Sequence, residues 1–416
     1  MFEAFFKERI LEDISSKIDI GQYGGQAGTG TEHMMVFLVD RILKLLDSTN
    51  ERAAVIASLI DWANAFDRLD PTLAIEKFIQ MGVRASIIPL LCSYLENRKM
   101  RVKYKGELSE EHTMVGGGPQ GTLLGLIEYL VQSNDAAACI SDDDRFKYID
   151  DLSILELVFL AGVLTEFDCH STVPSDIATD QLYLPPQDYA TQTNLDSISA
   201  WTNSNLMKIN ASKTNYIIFT RAKVNFGTRL HVNGVNLDRV EQAKIVGVWL
   251  TSDMKWEKNT RELSIKAYSR LGMLTKLKYV GVEIDDLLDI FVLYIRSVLE
   301  YCSVVWHSSL TQELSSSLEM VQKTCLKIIL GDNYVSYSAA LEMCNLKTLA
   351  RRREERCLTF AQRCLKHPLH SRMFPLNENN LGNKHLSREK YSVNFAKTDT
   401  YKMSAVPYLQ RRLNAK

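Results

Sequence analysis

Residues 146–155 place two adjacent carboxylates, Asp150 and Asp151, between an aromatic-apolar run ending at Tyr148 and a second apolar run from Leu152 to Leu155. Like charges set side by side repel, and each raises the other's pKa unless a cation sits between them. A divalent metal site would resolve that repulsion. A solvated turn would also resolve it, because Asp-Asp is common at hairpin tips. On these residues alone both readings stand.

A third carboxylate favours the metal. Ala53 to Ile60 is an eight-residue apolar run, read as a buried strand, and Asp61 follows it directly. Carboxylates converging from the ends of separate strands suit hard Mg²⁺, which takes oxygen ligands and keeps positions open for phosphates and water. Two such ions can stabilise both the attacking and the leaving oxygen in phosphoryl transfer.

The remaining elements must position these groups. The spacing of Ile10, Ile14 and Ile18 predicts a helix over the first 20 residues. A glycine-rich loop follows from Gln22 to Thr31, without the Lys that a Walker phosphate loop requires. Helices are expected over 32–46, 71–81 (with Pro71 in the first turn), 85–97 and 123–132. Strands are expected at 99–104, 215–220 and 243–250, with hairpins over 146–155 and over 231–237 around Gly234. The stretch 168–192 reads as an irregular insertion. After Leu250 helical periodicity dominates to about Ile329, and the last 40 or so residues are polar and weakly periodic.

Composition narrows the class. The chain has 416 residues, 46% hydrophobic, enough for two or three packed subdomains. The net charge of −1 is uninformative about partners, but Arg351–Lys416 carries 15 Lys and Arg against 5 Asp and Glu. Such a run can bind phosphates or simply be solvated. No secretory signal is visible at the start, and the apolar stretch 152–164 is too short to span a bilayer. The expectation is an intracellular protein, nuclear or cytoplasmic, without membrane contact. The eight cysteines include no Cys-x2-Cys pair and read as reduced, mostly buried thiols. Cys357 and Cys364, with His367 and His370, invite a zinc reading. Their spacing of seven suits one face of a helix better, and core packing is preferred.

Several segments together are similar to the reverse transcriptases of non-LTR, LINE-type retrotransposons. Asp61-Trp62-Ala63-Asn64-Ala65-Phe66-Asp67 resembles that family's first catalytic motif. Gly118-Pro119-Gln120-Gly121 resembles the second, and Tyr148-Ile149-Asp150-Asp151 the Tyr-x-Asp-Asp motif. Trp201, Asn205, Lys208, Asn210, Lys213 and Thr214 resemble the fourth. Val246-Gly247-Val248-Trp249-Leu250, with Trp256, resembles the primer grip. Leu299-Glu300-Tyr301, Val305-Trp306 and Leu318 to Gln322 resemble the thumb, and Gln22 to Thr31 the segment preceding the first motif. The motifs occur in family order across about residues 1–365.

The resemblance implies an α+β right-hand polymerase. Residual fingers would occupy 1–50, an antiparallel-sheet palm 51–250 with a fingers insertion near 72–115, a helical thumb 251–370, and a basic, partly disordered tail 371–416. It implies RNA-directed DNA synthesis, in which deoxynucleoside triphosphates are joined to a DNA primer on an RNA template. The cofactor would be two Mg²⁺ ions, with Mn²⁺ as a substitute. Asp61 and Asp150 would bind metal and Asp151 would assist. Lys213 would protonate the leaving pyrophosphate, with Lys208 as competitor. Phe66 would exclude a ribose 2′-OH, although an aromatic there also suits a core. Gln120, Gly121 and Tyr148 would border the nucleotide. Gln22, Gly24, Gly118, Pro119 and Trp249 would touch template or primer. Asp67 would be structural, as a helix cap. The family's earlier Arg-Pro-Ile fingers segment is absent, so the chain reads as a truncated or repurposed copy. The alternative function is a catalytically silent remnant that retains only nucleic-acid binding. A nucleotide-cyclase-like enzyme is disfavoured by the 118–121 loop and the thumb segments.

Overall fold

The 53–60 run forms a strand because nearly every residue in it can be buried. In the computed structural model, which describes residues 2–49, 53–159, 181–182, 190–221, 225–226, 229–377 and 389–415, strand β1 spans Ala53–Ile60. Seven of its eight residues are buried, as expected of a strand covered on both faces. Its neighbours are β2 (Arg145–Tyr148), β3 (Asp151–Phe159), β4 (Asn215–Thr220) and β5 (Asp238–Val240). The five-stranded sheet has the order β5-β4-β1-β3-β2. β1 and β3 run antiparallel, as do β3 and β2. In chain order the helices Pro71–Gln80 and Leu123–Gln132 fall between β1 and β2, and Ala190–Ser204 between β3 and β4. This is the split βαβ arrangement expected of a palm.

The fold is α+β and divides into two compact units. The first comprises Met1–Gly30, Glu51–Ile218 and Ala222–Val240. One face of its sheet packs Ile56, Ile60, Leu152 and Ile154 against Leu195 and Ile198 of the Ala190–Ser204 helix. A second core joins Phe6, Ile10 and Ile14 to Phe78, Leu91 and Leu124 from three further helices. The helix Leu123–Gln132 is buried along almost its whole length and contributes to both cores.

The second unit comprises Thr31–Asn50, Phe219–Arg221 and Glu241–Lys416. These boundaries differ from the expected ones, because the helix Thr31–Ser48 groups with residues after 240. Its apolar stripe, Val36, Val39, Ile42 and Leu43, is buried, and it packs against the helices Ser303–Trp306 and Ala405–Asn414. Within this unit the expected single strand 243–250 is a hairpin, Gln242–Ile245 paired with Val248–Thr251. Val246 (φ 38°) and Gly247 (φ 90°) form its tip. The Tyr301 hydroxyl holds the tip by donating to the Val246 carbonyl at 2.7 Å.

The tail corrects another expectation. Residues 389–415 are ordered, with helices Asp399–Lys402 and Ala405–Asn414. Tyr401, Val406 and Leu409 are buried, and the Asp47 carboxylate accepts from the Lys397 and Thr398 amides at 2.7 and 3.0 Å. Apolar side chains at helical spacing outweigh a polar average composition. Most of the 168–192 insertion lies outside the described residues. Among the described residues no helix is long and apolar enough to cross a membrane.

Candidate active site at one end of the sheet

The register of β1 against β3 ends with Ile60 opposite Leu152. One step further along that ladder sets Asp61 beside Asp151. The β2–β3 pairing ends with Tyr148 opposite Asp151, so Ile149 and Asp150 form the two-residue tip. All three carboxylates therefore lie at one end of the sheet, as their strand-end positions predict. Their fields overlap. The Asp151 carboxyl is pushed up to about 6 by desolvation first, then by Asp150 and by Asp61. Buried Tyr129, beneath them, has its phenol raised by desolvation and then by Asp150. For Asp151 burial and both neighbouring acids push the same way, and that electrostatic debt is what a divalent cation relieves. The donor set is oxygen only, so it fits Mg²⁺ or Mn²⁺.

The turn that presents Asp150 is strained. Ile149 has φ 57°, a region that a β-branched residue rarely occupies. Gln22 braces it from behind: its Oε1 accepts from the Ile149 amide at 3.1 Å and from the Gly24 amide at 2.9 Å. The Tyr23 amide donates to the Lys147 carbonyl, and the Lys147 amide to the Gly21 carbonyl, both at 2.8 Å. A Cβ at Gly24 would lie 2.6 Å from the Ile149 nitrogen, so only glycine lets the segment approach. Asp19 anchors the brace through Arg145 (2.8 Å) and Lys147 (2.5 Å). Desolvation raises the Asp19 carboxyl, but these two cations outweigh it and hold it low. Gln22 and Gly24 were expected beside the template. Gln22 is instead 3% exposed and Gly24 is buried against the hairpin. Their glycine-rich sequence reflects close backbone packing.

The segment after Asp61 meets the 116–121 loop. Phe66 is half-buried and stacks on Tyr129, with ring centroids 4.8 Å apart. The Gly118 amide donates to the Phe66 carbonyl and the Gly117 amide to the Leu69 carbonyl, both at 2.7 Å. The exposed Gln120 donates to the Asp67 carboxylate at 2.8 Å. Asp67 is thus not a helix cap. Asp70 caps Pro71–Gln80, accepting from the Leu73 amide at 2.8 Å. Pro119 and Gly121 continue the same loop, and Tyr148 is half-buried at the end of β2. So Phe66, Gly118 and Gln120 are gathered on one surface.

Lys213 is exposed on a segment tied directly to Asp61. The Asp61 amide donates to the Thr214 hydroxyl at 3.2 Å, and its carbonyl accepts from the Asn210 amide at 2.8 Å. Lys208, also exposed, accepts from the Ala63 amide through its carbonyl at 2.8 Å. Lys208 precedes the Ile209 bridge to Trp62, and Lys213 lies in the turn that follows, both on the segment that flanks the first carboxylate.

Trp249 belongs to the second unit. It lines a cavity of about 570 Å³ with Lys244, Lys266, Arg270 and Tyr301. The Lys258 ammonium lies 4.7 Å from its ring centre. Trp256, by contrast, is buried and packs.

Sequence reasoning missed Glu128. It is 2% exposed on the helix Leu123–Gln132. Its carboxyl is pushed up to about 7 by burial, against the pull of Arg98. A Cβ at Gly118 would come within 3.2 Å of it. A lone acid within Leu123-Leu124-Gly125-Leu126-Ile127-Glu128-Tyr129-Leu130 was the available signal.

No family model matches the chain. It is 27% identical over 261 residues to the probable RNA-directed DNA polymerase from transposon BS of Drosophila melanogaster, covering 61% of this chain and 26% of that protein. It is 26% identical over 253 residues to the probable polymerase of the same activity from transposon X-element of that species, covering 60% and 25%. It is 24% identical over 361 residues to the RNA-directed DNA polymerase from mobile element jockey of Drosophila funebris, covering 83% and 36%. The chain therefore spans about a quarter to just over a third of the length of the curated relatives it matches. Among solved structures, a Candida tropicalis telomerase with a telomeric RNA fragment aligns with 99% of this chain and 53% of its own, at 12% identity and TM-score 0.42. A Candida albicans telomerase aligns with 83% and 56%, at 12% identity and TM-score 0.40. Along most of its length the chain is similar to the RNA-directed DNA polymerases of non-LTR retrotransposons.

Proposed function

We propose that this chain carries the nucleotidyl-transfer centre of an RNA-directed DNA polymerase, extending a primer 3′-OH with deoxynucleoside triphosphates on an RNA template. The observation that carries this reading is the meeting of Asp61, Asp150 and Asp151 at one sheet end, with Asp151 pushed up to about 6 by desolvation and then by its two neighbours.

Mg²⁺ or Mn²⁺ held by these three residues would supply charge stabilisation at the attacking and leaving oxygens. The protein's own groups do the rest. Asp151, its carboxyl pushed up to about 6 by desolvation first and then by Asp150 and Asp61, loses its proton more readily once a cation binds, so cation binding and its ionisation are linked. The Gln22 brace keeps the strained Ile149–Asp150 tip in one conformation, which limits reorganisation during reaction. Phe66 is fixed by its stack on Tyr129, and its exposed edge would exclude a ribose 2′-OH. Gln120, oriented by Asp67, would border the nascent base pair. Lys213, beside the Asp61 backbone, would donate a proton to the departing pyrophosphate, with Lys208 on the same segment as its competitor. In the second unit the cationic cavity around Trp249 suits a nucleic-acid backbone, through its cations and an aromatic face.

The test is primer extension on poly-rA with an oligo-dT primer. Extension that requires Mg²⁺ or Mn²⁺, and is lost in Asp150→Ala, is the expected result. Salt-sensitive duplex binding without extension in either cation would leave only a binding protein.

A further inference from the structure

The helix Leu349–Cys364 ends on Cys364, and the chain then turns through His367 to His370, the first residue of a short 3-10 turn. His33 enters the same place from the third position of the helix Thr31–Ser48. One ligand atom each from His33, Cys364 and His370 lie within 4.8 Å of one another. Cys364 and His370 are fully buried. His370 is stacked between His33 and His367, at centroid distances of 4.1 and 4.0 Å. The Nδ1 of His367 is shielded from solvent and makes no hydrogen bond.

We propose that His33, Cys364 and His370 form a buried structural site for Zn²⁺, with His367 as the fourth ligand. Ligands held at about 2.0–2.3 Å around a tetrahedral ion are roughly 3.3–3.6 Å apart. For His33, Cys364 and His370, whose ligand atoms lie within 4.8 Å of one another, that geometry takes up to about 1.5 Å of closure, and His367 must swing in from its stack on His370. It also takes rotation of the stacked rings about their terminal side-chain torsion, which is broad and soft for histidine. One thiolate and three imidazoles suit Zn²⁺, whereas Mg²⁺ or Ca²⁺ would require oxygen donors.

Packing alone explains the cluster less well. Cys302, Cys325 and Cys357 are buried as well, and Cys325 sits on the Gln312–Leu330 helix among mostly apolar residues. Cys364 differs in sharing its place with three imidazoles, one of which, His367, has a shielded Nδ1 that makes no hydrogen bond. The site would pin the first turn of the helix Thr31–Ser48 to the end of Leu349–Cys364. Those helices already meet through Arg356 and Glu32 at 2.8 Å, and through His33 against the Phe360 ring at 4.8 Å. A clip between positions so distant in sequence restricts the unfolded chain strongly. It uses none of the polymerase groups, so its test is independent of that reading.

The experiment is metal analysis of the full chain, followed by Co²⁺ titration of chelator-stripped protein. About one Zn²⁺ per chain is expected, with a thiolate-to-cobalt charge-transfer band on titration. Cys364→Ser should lose the band, and His33→Asn should lose at least about nine-tenths of the bound metal. Cys325→Ser should keep both. Wild-type protein with zinc no higher than Cys364→Ser, or with Co²⁺ bound but no thiolate band, overturns the site. The band is read on wild-type protein, so the result stands even where a variant fails to fold.

Discussion

Two clusters of ligand-type side chains sit in different units and are built by opposite means. At the sheet end, three carboxylates are delivered by strand register, two of them adjacent in sequence, in an open position where they repel one another. In the helical unit, Cys364, His367 and His370 come from one helix end, and His33 comes from the far side of the sequence into a buried nest. The first cluster offers hard oxygens and stays open to substrate, and the second offers nitrogen and sulfur and is closed. An open, charge-strained site suits chemistry, and a closed one suits structure.

Substitutions test that contrast most sharply where the open site is lost. Asp150→Ala should reduce primer extension by at least on the order of a thousandfold, about 4 kcal/mol of barrier. It should leave the zinc content of the second unit intact. Parallel loss of zinc would show that the two clusters are not independent.

The brace should matter next. Gln22→Ala strips the partner from the Ile149 and Gly24 amides, and unpaired buried donors cost about 1–3 kcal/mol. Urea unfolding should show that loss, with kcat falling more than primer affinity. Gly24→Ala, whose Cβ meets the Ile149 nitrogen at 2.6 Å, should behave alike. Unchanged stability in both would remove the brace.

Phe66→Ala should cost about 1 kcal/mol for the lost ring pairing with Tyr129 and raise ribonucleotide incorporation. Equal discrimination in mutant and wild type would assign Phe66 to the core alone.

The smallest effect concerns pH. The folded Asp151 pKa, about 6, lies above its ordinary value. The folded state therefore holds a proton that the unfolded chain releases, and stability falls as pH rises from about 4 to about 6. Asp151→Asn should flatten that part of a Tm-against-pH curve. Mg²⁺ should raise Tm above pH 6 and have little effect below pH 4. A curve unaltered by the substitution would mean that the Asp151 carboxyl is not raised in the folded protein.

Legibility followed the range of each interaction. The strand Ala53–Ile60 and the helix Leu123–Gln132 were readable because continuous apolar runs need no knowledge of their partners. The 146–155 hairpin was readable from its apolar flanks. The run 243–250 was not, because Val246 at φ 38° is held by Tyr301, more than fifty residues away. The tail looked disordered by composition, yet Asp47 and a buried stripe order it. Gly24 near Gln22 is required by close approach to the chain's own hairpin, a contact that the local sequence does not specify.

By itself the sequence determined which side chains carry charge at strand ends, and in what order, since hydrophobic runs and the polar residues that end them are local facts. Tertiary structure alone decided that Asp61 stands beside Asp151, that Gln22 lies behind Ile149, and that His33 reaches Cys364. Each of these depends on long-range packing, in which sequence separation has no bearing on distance once loops are closed and side chains interlock.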